Sequence, residues 1–373
     1  MKNLTKILIL CTIFMFSYGS FAFAAEALNK VVENKDVNII IDSKSVKFDD
    51  VAITKNNWTL LPLRAILTNL GVQNDNEHIA WNSKEKSVTI YKDNIKLYLK
   101  VNDQTAYING KAVALDIAPV VYKNKTYIPT RFVSQSLGNK IVWDKDTKSI
   151  IITDENEFKQ VKEILENSMS KMKMTKGYIM KYILNDSNSY AGESYTIELK
   201  INTDKKIFYG KQQYDGDDTN QEIICTNEKT YQKTSDETQW TIEELDKTSK
   251  EDYLKFFNVE NFVSVINDSF IAGMKKIKDD DESQEIVLSG KAYPVTIPSK
   301  AEMLSLLYEN KAEDFMTTIT IDKKTGFIKK VLFEIYLNNV QSGTSESISS
   351  TSEFSFPEEE IEIKLPEVKD STN

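Results

Sequence analysis

An α+β protein in two parts is what this sequence predicts. A tandem-repeat small module, with a helix on antiparallel strands, precedes an antiparallel half-barrel sheet with helices on one face. Three observations predict it. A motif with Thr, Pro, Arg, Leu and Gly at fixed positions recurs 67 residues downstream of its first occurrence. A long series of alternating apolar and polar segments, broken by few helical stripes, follows residue 175. Net charge also changes abruptly near residue 154.

Length and composition bound the rest. At 373 residues with 40% hydrophobic and 28% charged side chains, the chain is long enough for two or three domains and is neither collagenous nor wholly disordered. One His and two Cys leave little material for metal or nucleophile chemistry.

Residues 1–24 read as a secretory signal peptide. Lys2 and Lys6 supply the positive start, Ile7 to Phe16 the apolar run, and Ala22-Phe23-Ala24 the cleavage site, so the mature chain is expected to begin at Ala25. An uncleaved membrane anchor is the competing reading, but the apolar run falls short of the ~20 residues a span needs. Leu10 before Cys11 is not the small residue that lipidation requires. The expectation is a secreted, extracellular, cell-envelope protein with no transmembrane segment after cleavage. Residues 25–36 read as a linker. Once Cys11 is removed, Cys225 stands alone in the run Ile223-Ile224-Cys225; it reads as a buried structural thiol, with a reactive thiol as the alternative.

Between Ala25 and Asp154 the chain carries 18 basic and 15 acidic side chains, a net +3; from Glu155 on it carries 27 and 41, a net −14. This places a boundary near residue 154. An acidic balance without a basic stripe excludes a nucleic-acid footprint.

The repeat organises residues 37–153. Thr59-Leu60-Leu61-Pro62-Leu63-Arg64 runs on to Leu70-Gly71, and Thr126-Tyr127-Ile128-Pro129-Thr130-Arg131 runs on to Leu137-Gly138. Ile79-Ala80-Trp81-Asn82 then matches Ile141-Val142-Trp143-Asp144 at an offset of 62, with the five extra residues placed in a loop around Gln73 to Glu77. Each copy reads as extended segments, a helix beginning at Pro62 or Pro129, a stop at Gly71 or Gly138, a strand with Trp81 or Trp143, and a Val/Ile strand. Pro62, Arg64, Gly71, Trp81, Pro129, Arg131, Gly138 and Trp143 are the structural repeat positions. Arg64 and Arg131 are the only arginines in the chain. Their equivalence points to a role Lys does not fill: pairing with a carboxylate such as Asp144, stacking on Trp81 or Trp143, or a fork for carboxylate or phosphate at each helix start.

The doubled T-x-x-P-x-R-x-x-x-x-x-L-G pattern with its Trp strand resembles the copper amine oxidase N-terminal domain-like module over about 37–153. That module occurs in secreted Gram-positive-type proteins as an accessory or stalk domain joined to unrelated domains. Two departures stand out: Thr130 occupies the place of Leu63, and Trp58 stands where a turn residue is expected before Thr59. The resemblance does not bring copper chemistry, which needs several His in a separate catalytic domain; His78, in the inserted loop, reads as solvated.

Residues 154–367 form the acidic second domain, with 368–373 as a disordered tail. Glu155 to Met174 has the stripe of an amphipathic helix. Strands are expected at Tyr178 to Ile183, Tyr195 to Ile201, Lys206 to Tyr209, Gln221 to Cys225, around Tyr231 and Trp240, at Phe315 to Ile321, Phe327 to Tyr336, Ser347 to Phe356 and Ile361 to Leu365. Helices are expected from the Thr241/Glu244 capping box toward Phe257, from Asn261 to Met274, and from the Ser299/Glu302 box to about Tyr308. The hairpin I-T-I-D-K-K-T-G-F-I-K-K-V-L-F-E-I, the ending S-E-F-S-F-P-E-E-E-I-E-I-K-L-P-E and the segment W-T-I-E-E-L are similar to the lipoprotein-carrier (LolA-like) superfamily. That resemblance implies an apolar cavity between sheet and helices that holds an acyl chain or lipid; a filled core is the alternative. Met169, Met172, Met174, Met180, Met274, Met303 and Met316 suit either.

No serine-nucleophile elbow, phosphate loop, zinc-protease helix or Cys–His pair occurs. Asp215 to Asp218 and Asp279 to Glu282 lack the spacing of a calcium loop and read as solvated turns. Catalytic residues, metal ligands and cofactors are therefore expected to be none, and the ligand-binding residues are not identified by sequence. The expected function is a secreted, non-catalytic envelope protein whose second domain takes a lipid or other apolar ligand, or a partner. The alternative is a structural or adhesion protein that contacts cell wall or other proteins without a small ligand. A glycan hydrolase would need two carboxylates ~5–9.5 Å apart across a cleft, and no motif points to such a pair.

Overall fold

The computed structural model describes residues 30–186, 194–215, 220–237, 239–244, 266–280, 282–292, 312–339 and 344–367. Among them, strands far outnumber helices. Contacts divide the chain into two units. Unit 1 takes the residues up to Ile41, Val46–Ile141 and Lys148–Ile150; unit 2 takes Asp42–Ser45, Val142–Thr147 and the residues from Ile151 on.

Unit 1 is built on two five-stranded sheets. The first runs in the order Val32–Asn34, Ala52–Lys55, Trp58–Pro62, Lys125–Pro129, Val120–Tyr122. Its middle pair consists of the two motif strands, antiparallel, with Leu60 opposite Pro129, Leu61 opposite Ile128 and Pro62 opposite Tyr127. Ile53, Leu60, Ile117, Val120 and Tyr127 close a core against one face. Helices α1 (Leu63–Asn69) and α2 (Thr130–Ser136) each follow a motif strand directly and pack on that strand pair. The second sheet is a meander, ordered Lys111–Ala114, Thr105–Ile108, Ile95–Lys100, Ser87–Lys92, Ile79–Asn82. Alternation buries Val88, Ile90, Leu97, Leu99 and Ala106 on one face.

The helices begin one residue later than their prolines. Pro62 and Pro129 end the strands and serve as N-caps, with φ −59° and −60°. The ring holds φ where strand and helix both accept it, so the chain turns without a capping side chain. Gly71 and Gly138 stop the helices in the left-handed region, at φ 80° and 82°, each donating its N–H back to the third residue before it.

Unit 2 contains the long helix α3 (Glu155–Lys173). The Asp154 carboxylate accepts from the N–H groups of Asn156 and Glu157 at 2.8 and 3.0 Å, and the charges at both ends oppose the helix dipole. Phe158, Val161, Leu165, Met169 and Met172 form its buried stripe. A short helix, α4 (Asp268–Gly273), is capped by Asn267. An eleven-stranded antiparallel sheet, curled as a half-barrel, makes up the body of the unit. Its order is Thr241–Glu244, Lys229–Thr234, Asn220–Cys225, Ile207–Tyr214, Tyr195–Asn202, Gly177–Asp186, Thr344–Ser355, Ile328–Asn339, Ala312–Asp322, Glu285–Gly290, Met274–Lys278.

Three sequence expectations are corrected here. Thr241–Glu244 is a strand paired with Lys229–Thr234, not the opening of a helix; a Thr-x-x-Glu pattern serves an exposed edge strand equally well. In the stretch expected to be helical from Asn261 to Met274, the helix among described residues spans Asp268–Gly273 and Met274 begins a strand. Ile361 to Leu365 is not a strand. Gly177–Asp186, the strand beside it, already has partners on both sides. Instead Asn202 Nδ2 donates to the Ile361 carbonyl at 3.0 Å. The expected helix from Ser299 and the tail 368–373 lie outside the described residues.

Candidate functional site: the inner face of the eleven-stranded sheet

In an antiparallel sheet, directly opposed residues share a face. Register therefore assigns the inner face of unit 2. Tyr178, Met180, Tyr182 and Leu184 oppose Ile201, Leu199, Ile197 and Tyr195. Those in turn oppose Phe208, Gly210, Gln212 and Tyr214. On the other flank lie Phe354, Ser352 and Ser350, then Val331, Phe333 and Ile335, and beyond them Ile319 and Phe315.

The two halves of this face differ. Val331, Phe333, Ile335, Ile319 and Phe315 are buried, and α3 packs toward their side, against Ile328–Asn339 and Met274–Lys278. Across Gly177–Asp186, Tyr195–Asn202 and Ile207–Tyr214, burial follows a gradient. Tyr178, Ile201 and Phe208 are buried at one end, whereas Leu184, Tyr195, Ile197, Gln212 and Tyr214 are half-buried at the other. Three rings step across the strands at the open end: Tyr182 to Tyr195 at 6.1 Å and Tyr195 to Tyr214 at 5.9 Å between centroids. Gln212 Nε2 donates to Tyr214 Oη at 2.8 Å.

Tyr182 is 1% exposed, and its Oη has no hydrogen-bond partner among the described residues, although Ser350 and Tyr195 lie beside it. Burial, then the neighbouring Tyr195, pushes its phenol far above the ordinary range, so it stays protonated and offers an O–H donor in apolar surroundings. Sequence reasoning missed this strip. Its signal was the spacing Tyr178, Tyr182 and Tyr195, Tyr214, which has no meaning until register brings the strands together. Of the methionines considered as lining, Met169, Met172, Met180 and Met274 are buried, Met174 is 79% exposed, and Met316 opposes Glu334 on the outer face. Met303 lies outside the described residues.

Cys225 is buried, and burial pushes its thiol up to about 11. Asp279 is held by lysines: its carboxylate meets Lys276 and Lys323 at 3.1 and 3.0 Å. Asp217, Asp218 and Asp281 lie outside the described residues. Among the described residues, no group of three or more His, Cys, Asp or Glu side chains converges on one point, and no helix is long and apolar enough to cross a membrane.

Of the repeat positions, Trp143 falls in unit 2 and the others in unit 1. Arg64 Nη1 donates to Asn74 Oδ1 at 2.8 Å. The guanidinium of Arg131 lies over the ring of Trp58, 5.4 Å from its centroid. Neither partner is the one expected: Asp144 instead accepts from the N–H groups of Asp146 and Thr147, and Trp81 and Trp143 are 40% and 45% exposed. Trp58, noted in the sequence as out of place, is the residue that explains Arg131. The residue 67 positions after Trp58 is Lys125, so Arg64 has no corresponding ring. His78 Nδ1 sits 2.8 Å from Asp75 Oδ1.

Residues 40–152 match the family model described as the copper amine oxidase N-terminal domain; the match is to that N-terminal domain and not to an oxidase catalytic domain. No curated protein matches the chain. Solved structures similar to it include the lipoprotein LppX of Mycobacterium tuberculosis, at 12% identity and TM-score 0.33, covering 53% of this chain and 94% of that one. LprF from Mycobacterium bovis follows at 9% identity and TM-score 0.34, covering 56% and 97%. A LolA superfamily protein from Nitrosomonas europaea shows 10% identity and TM-score 0.22, covering 55% and 94%.

Proposed function

We propose that the protein is a non-catalytic, exported envelope protein whose second domain holds a lipid-like ligand against the inner face of its sheet. Residues 37–153 act in this reading as a two-copy accessory module, and 154–367 as the ligand-holding domain. The observation that carries it is the half-open end of the inner face. There Leu184, Ile197, Tyr195 and Tyr214 present half-buried, largely apolar surface beside the buried Tyr182. An elongated apolar molecule fits this surface: its body replaces water on the half-buried side chains. Export is supported by the reading of residues 1–24, and the non-catalytic role by the lack of any catalytic motif in the sequence.

The test is native mass spectrometry of the exported protein purified from its own envelope, followed by lipid extraction and uptake of cis-parinaric acid by the stripped protein. A co-purifying apolar molecule and saturable uptake are expected. Ile197→Asp should weaken uptake by about tenfold or more, because a carboxylate would face the acyl chain. A bare mass together with no uptake would sink the reading.

A further inference from the structure

The meander of unit 1 buries one face and presents the other. Cross-strand partners place Thr89, Tyr98, Tyr107 and Ala112 in one row of the outer face. Tyr91 with Lys96, and Ser87 with Lys100, form the rows on either side. Tyr98 and Tyr107 meet edge to face at 5.9 Å. Lys96 Nζ lies 5.7 Å from the centre of the Tyr91 ring. Tyr91 and Tyr107 are each 39% exposed, and Lys96, Lys100, Ala112 and Ala114 are exposed beside them. The alanines leave one side of the face low and open.

Charge sets this face apart. The whole chain has a net charge of −9, yet residues 79–114 carry Lys84, Lys86, Lys92, Lys96, Lys100 and Lys111 against Glu85, Asp93 and Asp103. None of these acids lies in the rows just named. Glu85 reaches the face from the turn before it: its Oε2 accepts from Ser87 Oγ at 3.3 Å and from Tyr98 Oη at 3.4 Å.

We propose that this face binds an anionic glycan, a chain of sugar rings bearing carboxylates or phosphates. The C–H face of a sugar ring packs on a tyrosine ring, whose π-face is negative. Lys96 and Lys100 meet the anionic groups on either side of the tyrosine row. An acidic protein segment would use the lysines and leave three rings idle; a neutral glycan would use the rings and leave the lysines unpaired. The pairing of both features selects the anionic glycan. This gives a surface to the wall-contacting role considered from sequence, and it does not depend on the ligand of unit 2.

The experiment measures binding of the full chain to polygalacturonate, which supplies carboxylates, and to a phosphomannan, which supplies phosphates. Neutral dextran and polyglutamate are run in parallel. At least one anionic glycan should bind about tenfold tighter than dextran and polyglutamate. Tyr107→Ala should weaken that binding about threefold to tenfold, as the loss of one aromatic contact implies. Lys100→Gln should weaken it and flatten its salt dependence. Both side chains are exposed, so melting temperature and cis-parinaric acid uptake should stay at the native values. Failure of both glycans to bind overturns the proposal. So does native-like binding by both variants, or equal binding of polyglutamate, which would mark an acidic protein partner instead.

Discussion

Leu61 and Ile128 stand 67 positions apart in the sequence and directly opposite each other at the centre of one strand pair, both fully buried. On either side, Leu60 meets Pro129 and Pro62 meets Tyr127. The same offset relates Leu60 to Tyr127 and Pro62 to Pro129. Residues at equivalent positions of the motif are thus arranged symmetrically about one central pair.

Truncating either side of that pair should be costly. Leu61→Ala and Ile128→Ala are each expected to destabilise by about 2–5 kcal/mol, the range for a large aliphatic residue lost from a core. The double variant should cost less than the sum, because the two share one cavity. Denaturant unfolding followed by tryptophan fluorescence reads both; additive losses would show that the two side chains do not interact.

The two arginines should respond differently to Lys. Arg131→Lys gives up the planar stack on Trp58 and should cost roughly 0.5–1 kcal/mol. In a Trp58→Leu background the same change should cost almost nothing. Arg64→Lys loses one exposed hydrogen bond to Asn74 and should leave melting nearly unchanged. Equal losses at Arg64 and Arg131 would contradict this.

Gly273 and Gly290 approach each other closely in unit 2. A Cβ on Gly290 would strike the Gly273 carbonyl oxygen and crowd the Ser43 side chain, and one on Gly273 would strike the Lys291 carbonyl. Backbone atoms do not rotate away, so Gly290→Ala should cost about 1–3 kcal/mol. Gly110→Ala, where a Cβ meets nothing but φ is 82°, should lose stability through backbone strain alone. Thermal melting of both variants is the check.

Acid should weaken unit 2 through Asp279. Hydrogen bonds from Lys323 and then Lys276 hold its carboxyl below the usual 3.8. Because the folded value is the lower one, the contribution is complete above the unfolded value and is lost as pH falls through the folded one. Asp279→Asn should therefore unfold at a more nearly constant denaturant concentration between pH 5 and pH 2 than the native chain does.

Cys225 should resist alkylation. With its thiol pushed up to about 11 by burial, little thiolate forms at pH 8. Iodoacetamide should leave the native protein unmodified at that pH and label it fully in denaturant; rapid native labelling would show that the strand opens.

Local pattern made a good part of this fold legible. The amphipathic stripe marks α3, and the glycine stops mark the ends of α1 and α2, because a helix is decided by residues within a few positions of one another. Alternation found most strands of the half-barrel. It failed at Thr241–Glu244 and at Ile361–Leu365, where the outcome depends on whether a partner strand has a free edge. The expected partners of Arg64 and Arg131 failed similarly, since Trp58 and Asn74 reach them through pairing and loop geometry.

The sequence by itself determined the division in character between the two halves, the recurring Thr-Pro-Arg-Gly motif and the period of each strand, all of them properties of neighbours along the chain. Only the tertiary structure decided which strand lies beside which. Register then put Leu61 against Ile128, stepped Tyr182, Tyr195 and Tyr214 across the half-open inner face, and gathered Tyr91, Tyr98 and Tyr107 with Lys96 and Lys100 on one exposed sheet. The physical reason is that side-chain alternation gives each strand two faces but leaves its neighbour unspecified. A one-residue slip in pairing would send every one of those rings to the opposite side.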